Sequence, residues 1–133
     1  MSRKRILIID DEADLCRVMK LNLERAGAFE VAVAYTGPEG VAKAQTEGFD
    51  LVITDYNLPG MNGEAVLDAL KALHPGMAVV VFSVYHDDAT HITSSLHRKA
   101  DGILTKPLDH CQLEAIIEQL LGPSASGSGH GAR

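Results

Sequence analysis

Five residues with reactive or charged side chains stand at the ends of short apolar runs. They follow the first, third, fourth and fifth runs and are Asp10, Asp11, Asp55, Ser83 and Lys106. In open α/β sheets, ligands bind outside the carboxyl ends of the strands, where residues from several strands meet. If the runs are parallel strands of one sheet, these three carboxylates, one hydroxyl and one ammonium converge on one edge.

This combination of side chains fits phosphoryl transfer. Clustered carboxylates repel one another unless a cation neutralises them, and Mg²⁺ prefers oxygen ligands of this kind. Asp55 is suited to act as a nucleophile that forms an acyl phosphate. Mg²⁺ and Lys106 would stabilise charge on the transferring oxygens, and Ser83 would hydrogen-bond the attached group. Each residue alone is more simply explained by turn or capping chemistry, so the prediction depends on the complete set.

The elements that would position this set are five apolar runs of strand length. They are rich in Val and Ile and mostly lack apolar and polar alternation, which is typical of strands buried on both faces of a parallel sheet. The runs are Arg5 to Ile9, Glu30 to Ala34, Leu51 to Thr54, Met77 to Phe82 and Asp101 to Leu104.

Each run is followed by a stretch with helical features, and this alternation predicts a doubly wound α/β sandwich. The predicted helices run from Ala13 to Ala26, from a Thr36 cap to near Gly48, from Asn62 to His74, from Asp87 to Arg98, and onward from an Asp109 cap. The first helix is expected to bury an approximate apolar face made of Leu15, Val18, Met19, Leu21 and Leu23.

Composition and charge restrict the functions available. The 133 residues fit one domain, expected over residues 1–122, and the Gly/Ser-rich residues 123–133 are expected to form a flexible tail. The formal charge of −6 argues against direct binding to nucleic acid or anionic membrane. No apolar run is long enough to span a bilayer, and Cys16 and Cys111 lack CxxC spacing, so we expect a cytoplasmic protein with reduced thiols.

The sequence closely resembles the receiver domains of two-component response regulators over about residues 5–121. The resemblance rests on Asp10-Asp11-Glu12, on the segment from Asp55 to Gly63, on Ser83 and on Lys106-Pro107. It implies a flavodoxin-like, three-layer (βα)5 fold with strand order 2-1-3-4-5. It also implies a Mg²⁺ site made by Asp10, Asp11, Asp55 and the backbone carbonyl of Asn57, with Asp55 as phosphoacceptor and Ser83 and Lys106 as phosphate contacts. A cis peptide before Pro107 is implied as well.

The same resemblance implies a mechanism and partners. A sensor histidine kinase or histidine phosphotransfer protein would present phosphohistidine to Asp55, and the domain would catalyse its own phosphorylation and slow dephosphorylation without a separate turnover substrate. Movement of Ser83 would then change a protein-interaction surface that a downstream protein reads. The resemblance is compatible with a monomer or with a phosphorylation-linked dimer.

Two positions depart from the usual receiver pattern, and a nearby tyrosine bears on both. Receivers usually carry an aromatic residue three positions before the lysine, and this chain has Ile103 there. Tyr85, two residues after Ser83, is either an alternative aromatic switch residue or a cover over the site. Val84 stands where receivers commonly have Ala or Gly, and we expect Val84 and Tyr85 to crowd the in-line path of water and to lengthen the lifetime of the acyl phosphate.

Two other functional classes remain open from the sequence. One is a pseudo-receiver that binds partners without phosphorylation, which the replacement at Ile103 keeps under consideration. The other is an aspartyl-phosphate phosphatase of the haloacid dehalogenase type, although that family pairs its acids as DxD after the first strand, whereas Asp10 and Asp11 are adjacent. The sequence is also compatible both with a stand-alone receiver and with a domain of a longer regulator.

Overall fold

The computed structural model describes residues 4–25, 27, 29–58, 60–84, 99–106 and 109–122. All five predicted strands are present there, each within two residues of the expected bounds. They are β1 (Lys4–Ile9), β2 (Phe29–Ala34), β3 (Leu51–Asp55), β4 (Ala78–Val84) and β5 (Gly102–Lys106). Four predicted features lie outside the described residues: the helix from Asp87 to Arg98, the tail at 123–133, and the single residues Tyr85 and Pro107.

The strands form one sheet in the order β2-β1-β3-β4-β5, and every neighbouring pair is parallel. This confirms the predicted α/β class and the implied strand order. The chain leaves β1 toward β2 and then returns past β1 to β3, so the strand order reverses between β1 and β3. Connections that diverge in this way leave a crevice at the carboxyl ends of the two strands, where ligands bind in such sheets.

Three strands continue further than predicted at this carboxyl edge. Asp55, Ser83 and Lys106 belong to β3, β4 and β5 rather than to the loops that follow. The pairs Asp55 with Phe82 and Ser83 with Thr105 extend the ladder to the edge. The sheet hydrogen bonds therefore hold the backbones of these residues in place.

Four helices are described: α1 (Ala13–Arg25), α2 (Gly37–Thr46), α3 (Gly63–Leu73) and α4 (His110–Leu121). Local capping explains where several of them begin. The Thr36 hydroxyl accepts a hydrogen bond from Glu39 N at 3.1 Å, and the Asp109 side chain accepts from Cys111 N and Gln112 N, as predicted for N-caps. The carboxylate of Glu39, in the first turn of α2, accepts a hydrogen bond from Tyr35 N at 3.0 Å.

The helices cover both faces of the sheet with two separate apolar cores. Alternate residues of a strand point to opposite faces, so Ile6 and Ile8 enter one core while Leu7 and Ile9 enter the other. α1 and α4 contribute to the first core, and α2 and α3 contribute to the second. This three-layer arrangement explains why the strands are apolar without alternation.

The buried face of α1 differs from the predicted one. Cys16, Met19 and Leu23 are buried, whereas Val18 and Leu21 are 43% and 58% exposed. The three buried residues are spaced three and four apart and form a single stripe along the helix. The prediction was wrong for Val18 and Leu21 because it chose residues by their apolar character and not by their position on the helix. It also left out Cys16, which completes the buried stripe.

Gly63 allows the start of α3 to lie directly against the end of β3. Its N–H donates to Tyr56 O at 2.7 Å, and a Cβ at this position would lie 2.6 Å from Tyr56 Cα and 2.7 Å from Asp55 O. Both contacts are with backbone, which cannot rotate away. The absence of a side chain at Gly63 therefore preserves the position of the Asp55 backbone.

We predict that Gly63→Ala lowers the free energy of unfolding by about 1–3 kcal/mol because the new methyl group overlaps backbone atoms. Gly48→Ala is the matched control, since no atom outside its chain neighbours lies within 4 Å of a Cβ there. Its effect should stay within about 0.5 kcal/mol. Urea denaturation of both variants measures the difference, and equal effects would contradict the prediction.

Candidate functional site

Asp10 and Asp55 lie side by side because β1 and β3 are neighbours in the sheet. Ile9 pairs with Thr54, so the next residue of each strand reaches the carboxyl edge together. Asp10 N donates to Ala34 O at 3.0 Å, and Tyr56 N donates to Phe82 O at 2.9 Å. Backbone hydrogen bonds to β2 and β4 therefore fix the positions from which both carboxylates project.

A group of three carboxylates forms at this edge. One carboxylate oxygen from each of Asp10, Asp11 and Asp55 lies within 4.8 Å of the others. Asp10 and Asp55 are 1% and 4% exposed, whereas Asp11 lies at the surface. The predicted acidic pocket is thus assembled from two buried groups and one exposed group.

Lys106 reaches this acidic group from β5. Its ammonium lies 3.2 Å from Asp10 Oδ2, 3.5 Å from Asp55 Oδ2 and 3.4 Å from Glu12 Oε1, and its side chain is only 14% exposed. Burial lowers the pKa of Lys106, but attraction to Asp10 and Asp55 outweighs this effect and raises the pKa above its ordinary value. The lysine is therefore a fixed positive charge between the two buried carboxylates.

The ammonium does not satisfy the buried carboxylates fully. Within the described part of the chain, Asp10 Oδ2 and Asp55 Oδ1 are buried without a hydrogen-bond donor, although Asp10 Oδ2 is at ion-pair distance from Lys106. Burial, followed by repulsion from Asp10, raises the pKa of Asp55 to about 6, and burial also raises the pKa of Asp10. Each pKa shift reflects the cost of keeping a negative charge where water does not reach it.

These observations fit a divalent cation. Three ionised carboxylates and one ammonium leave two negative charges uncompensated, and the oxygens without donors are the hard ligands that Mg²⁺ takes. The remaining predicted ligand, Asn57, is exposed in the loop directly after β3. Its backbone carbonyl therefore belongs to the same edge of the sheet.

The other predicted site residues differ in how far they are buried. Ser83 is 5% exposed near the end of β4, beside β3, which carries Asp55. Ile103 is half-buried in β5, pairs with Val81 and packs against the core formed with α2 and α3. It thus fills space on the face of the sheet where receivers usually have an aromatic side chain. The third predicted switch residue, Tyr85, lies outside the described residues.

Two residues that contact Lys106 had no assigned role in the sequence prediction. Glu12 forms an ion pair with the ammonium, and its own N–H donates to Asp10 Oδ1 at 2.9 Å. The ring of Phe82 lies beneath the ammonium, with its centroid 5.4 Å from Nζ. No local pattern in the sequence signals the Phe82 contact, because it depends on the pairing of Phe82 with Leu104, two residues before Lys106.

Cys16 supports the loop that carries Asp10. Its thiol donates to Asp10 O at 3.3 Å, and burial, together with the Asp10 charge, raises the pKa of the thiol to about 12. A thiol with this pKa is a poor nucleophile near neutral pH. Both cysteines are free, as predicted, although Cys111 is exposed.

A family model for the response regulator receiver domain matches residues 6–118. The chain belongs to this family. It is therefore a signalling domain, and the family assignment favours neither the phosphatase nor the pseudo-receiver alternative. No helix in the described ranges combines the length and apolar character needed to cross a membrane.

Several curated relatives are longer proteins. The transcriptional regulatory protein ZraR of Salmonella typhimurium is 31% identical in an alignment 135 positions long, which covers 95% of this chain and 30% of ZraR. The alkaline phosphatase synthesis transcriptional regulatory protein PhoP of Bacillus subtilis is 30% identical over 118 residues, which cover 89% of this chain and 48% of PhoP. The chain thus spans less than half the length of these relatives.

Solved receiver structures share the fold. A CheY-like receiver domain protein from Methanospirillum hungatei has a TM-score of 0.79 and 38% identity, covering 90% of this chain and 94% of that chain. The response regulator TrrA of Thermotoga maritima, solved in complex with Mg²⁺-BeF, has a TM-score of 0.79 and 26% identity, covering 88% and 98%. The receiver TrrA is thus a structural relative that was crystallised with Mg²⁺.

The raised pKa of Asp55 predicts a pH-dependent gain in stability when its charge is removed. Without Mg²⁺, ionised Asp55 opposes folding at neutral pH, and this opposition disappears as the pH falls through about 6 toward the ordinary pKa of 3.8. Asp55→Asn should raise the free energy of unfolding by about 1–2 kcal/mol near pH 7. The gain is less than the full pKa shift because the buried amide also needs hydrogen-bond partners.

Denaturation in EDTA between about pH 7 and pH 4 tests this prediction, and the advantage of Asp55→Asn should shrink toward zero at the acidic end. Asp14→Asn is the matched control, since the Asp14 side chain is 96% exposed on α1. An advantage of Asp55→Asn that stays constant over this pH range would show that its charge is not responsible.

Proposed function

We propose that Asp55 accepts a phosphoryl group from the phosphohistidine of a sensor histidine kinase or histidine phosphotransfer protein. One observation carries this proposal: a buried carboxylate with an unbonded oxygen lies 3.5 Å from a lysine and within 4.8 Å of two further carboxylates. This arrangement supplies a nucleophile, a fixed positive charge and oxygen ligands for a cation in one crevice. Receiver family membership supports the same chemistry.

The proposed transfer changes one bond at each end of the phosphoryl group. An Asp55 carboxylate oxygen attacks phosphorus, the bond from phosphorus to the partner's imidazole nitrogen breaks, and that nitrogen keeps the electron pair and later takes up a proton. Lys106 holds the phosphoryl oxygens by charge, and the Ser83 hydroxyl donates to one of them once the group is attached. The domain thereby catalyses its own phosphorylation, and water reverses it slowly.

Mg²⁺ is the proposed cofactor, held by Asp10, Asp11, Asp55 and the backbone carbonyl of Asn57. When bound, it supplies the positive charge that offsets the carboxylates and the incoming phosphoryl oxygens. Asp10 and Asp55 orient the site because their backbones are fixed by the sheet. Asp11 is exposed and reaches the group from the surface.

The proposed output is a change in a protein-interaction surface. Ser83 lies near the end of β4, where its hydroxyl would contact the phosphoryl group on Asp55. Ile103 lies on the neighbouring strand β5. With Ile103 in the aromatic position, we propose Ser83, Ile103 and Tyr85 as the switch residues, with Tyr85 acting either as an alternative aromatic switch residue or as a cover over the site. Because the relatives are longer transcriptional regulators, we propose that regulation of transcription, if any, is carried out by another segment or a separate protein.

The proposed domain occupies residues 1–122, with 123–133 as a tail, in a cytoplasmic protein. Its partners are a phosphodonor and a downstream protein rather than nucleic acid or membrane, in keeping with a formal charge of −6. A monomer and a phosphorylation-linked dimer are both compatible with this role.

We predict that incubation with Mg²⁺ and phosphoramidate adds the mass of one phosphoryl group to the intact protein. Asp55→Asn should abolish the gain, because its amide is not a competent nucleophile. Asp14→Asn, which removes an exposed carboxylate on α1, should leave the gain unchanged. Intact-mass spectrometry measures all three proteins, and a gain that persists in Asp55→Asn would place the phosphoryl group elsewhere.

We also predict that Asp11→Asn weakens Mg²⁺ binding by at least about tenfold, since it removes one charged oxygen ligand. Titration calorimetry of the unphosphorylated protein measures the affinity without requiring phosphoryl transfer. Asp14→Asn again serves as the control for loss of a surface charge. Equal affinities for Asp11→Asn and the control would exclude Asp11 as a ligand.

A further inference from the structure

Besides its carboxylate partners, the ammonium of Lys106 contacts an aromatic ring. The ring centroid of Phe82 lies 5.4 Å from Lys106 Nζ, with the ammonium over the ring face. Phe82 is 1% exposed and the Lys106 side chain is 14% exposed, so water screens this contact weakly. Cation–π attraction is strongest under these conditions.

The register of the sheet produces this contact. Phe82 pairs with Leu104, so Phe82, Leu104 and Lys106 share one face of the sheet. That face is packed by α1 and α4, which enclose the ring within the first apolar core. The backbone of Phe82 is held further by the hydrogen bond from Tyr56 N to Phe82 O, at 2.9 Å. The ring therefore presents a fixed face to the ammonium.

The carboxylate partners of Lys106 are less constant. Asp10 and Asp55 are also the proposed Mg²⁺ ligands, and a cation on their oxygens weakens their attraction for the ammonium. The third partner, Glu12, is 61% exposed, so water screens its attraction for the ammonium. The aromatic ring is not a ligand of the kind that Mg²⁺ takes, so its attraction for Lys106 persists when the metal is bound.

We propose that Phe82 is a positioning residue for phosphoryl transfer: its ring holds the Lys106 ammonium over the crevice while Mg²⁺ occupies the carboxylates. This inference rests on the proposed phosphoryl transfer to Asp55. A purely structural role for Phe82 would require only its volume, because an apolar side chain of similar size fills the core equally well. The two roles differ in whether the π electrons matter.

A series of ring-fluorinated phenylalanines at position 82 separates these roles. One, two and three fluorine atoms progressively weaken the negative potential of the ring face with little change in size, and cyclohexylalanine removes the π system. The rate constant for gain of a phosphoryl group from phosphoramidate at saturating Mg²⁺ is measured by intact mass. Melting temperature and Mg²⁺ affinity are measured on the same proteins.

The rate constant should fall stepwise along the series, by about threefold to tenfold in total. The melting temperature and the Mg²⁺ affinity should stay unchanged. In a Lys106→Met background, the same series should have no effect on the residual rate, since the cation is gone. This pair of results would identify the ring as acting through Lys106.

Three results would overturn the inference while leaving phosphoryl transfer to Asp55 intact. They are a flat series with Lys106 present, an equally steep series in Lys106→Met, and a fall in rate that follows a loss of melting temperature or Mg²⁺ affinity. If the unsubstituted protein gains no phosphoryl group, both this inference and the proposed function are overturned. The failures of the two proposals are thus distinguishable.

Discussion

Asp10 and Asp55 are buried carboxylates held close together, and the rest of the site follows from the need to balance their charge. Burial and mutual repulsion raise the pKa of Asp55 to about 6. Lys106 compensates part of this charge, but Asp10 Oδ2 and Asp55 Oδ1 still lack donors among the described groups. The site therefore keeps an excess of buried negative charge, which a divalent cation is suited to neutralise.

The parallel sheet holds these two buried carboxylates close together. Each of the two acids stands at the carboxyl end of a strand whose backbone is hydrogen-bonded to its neighbours, so the backbones from which the two carboxylates project are held close together. Gly63 contributes by letting α3 begin against the backbone of Asp55 and Tyr56. Burial of apolar side chains in the two cores stabilises the fold and offsets the free-energy cost of burying charge at the edge of the sheet.

Local features were predicted well because local physics decides them. Thr36 and Asp109 cap helices through hydrogen bonds within three residues, and the Val- and Ile-rich runs form buried strands wherever both faces are covered. Strand ends were predicted less well. β4 and β5 each continue two residues further because the ladder between them persists, and pairing between distant segments is not visible in either segment alone.

By itself, the sequence determined which chemical groups reach the carboxyl edge: Asp10, Asp11, Asp55, Ser83 and Lys106 each stand at or just after the end of an apolar run of strand length. Only the tertiary structure decided how those groups share charge. The ion pair of Lys106 with Glu12, the ring of Phe82 beneath the ammonium and the exposure of Val18 and Leu21 all depend on strand register and helix packing. The physical reason is that burial and Coulomb attraction depend on distances between segments, whereas the patterns readable in a sequence describe only neighbours along the chain.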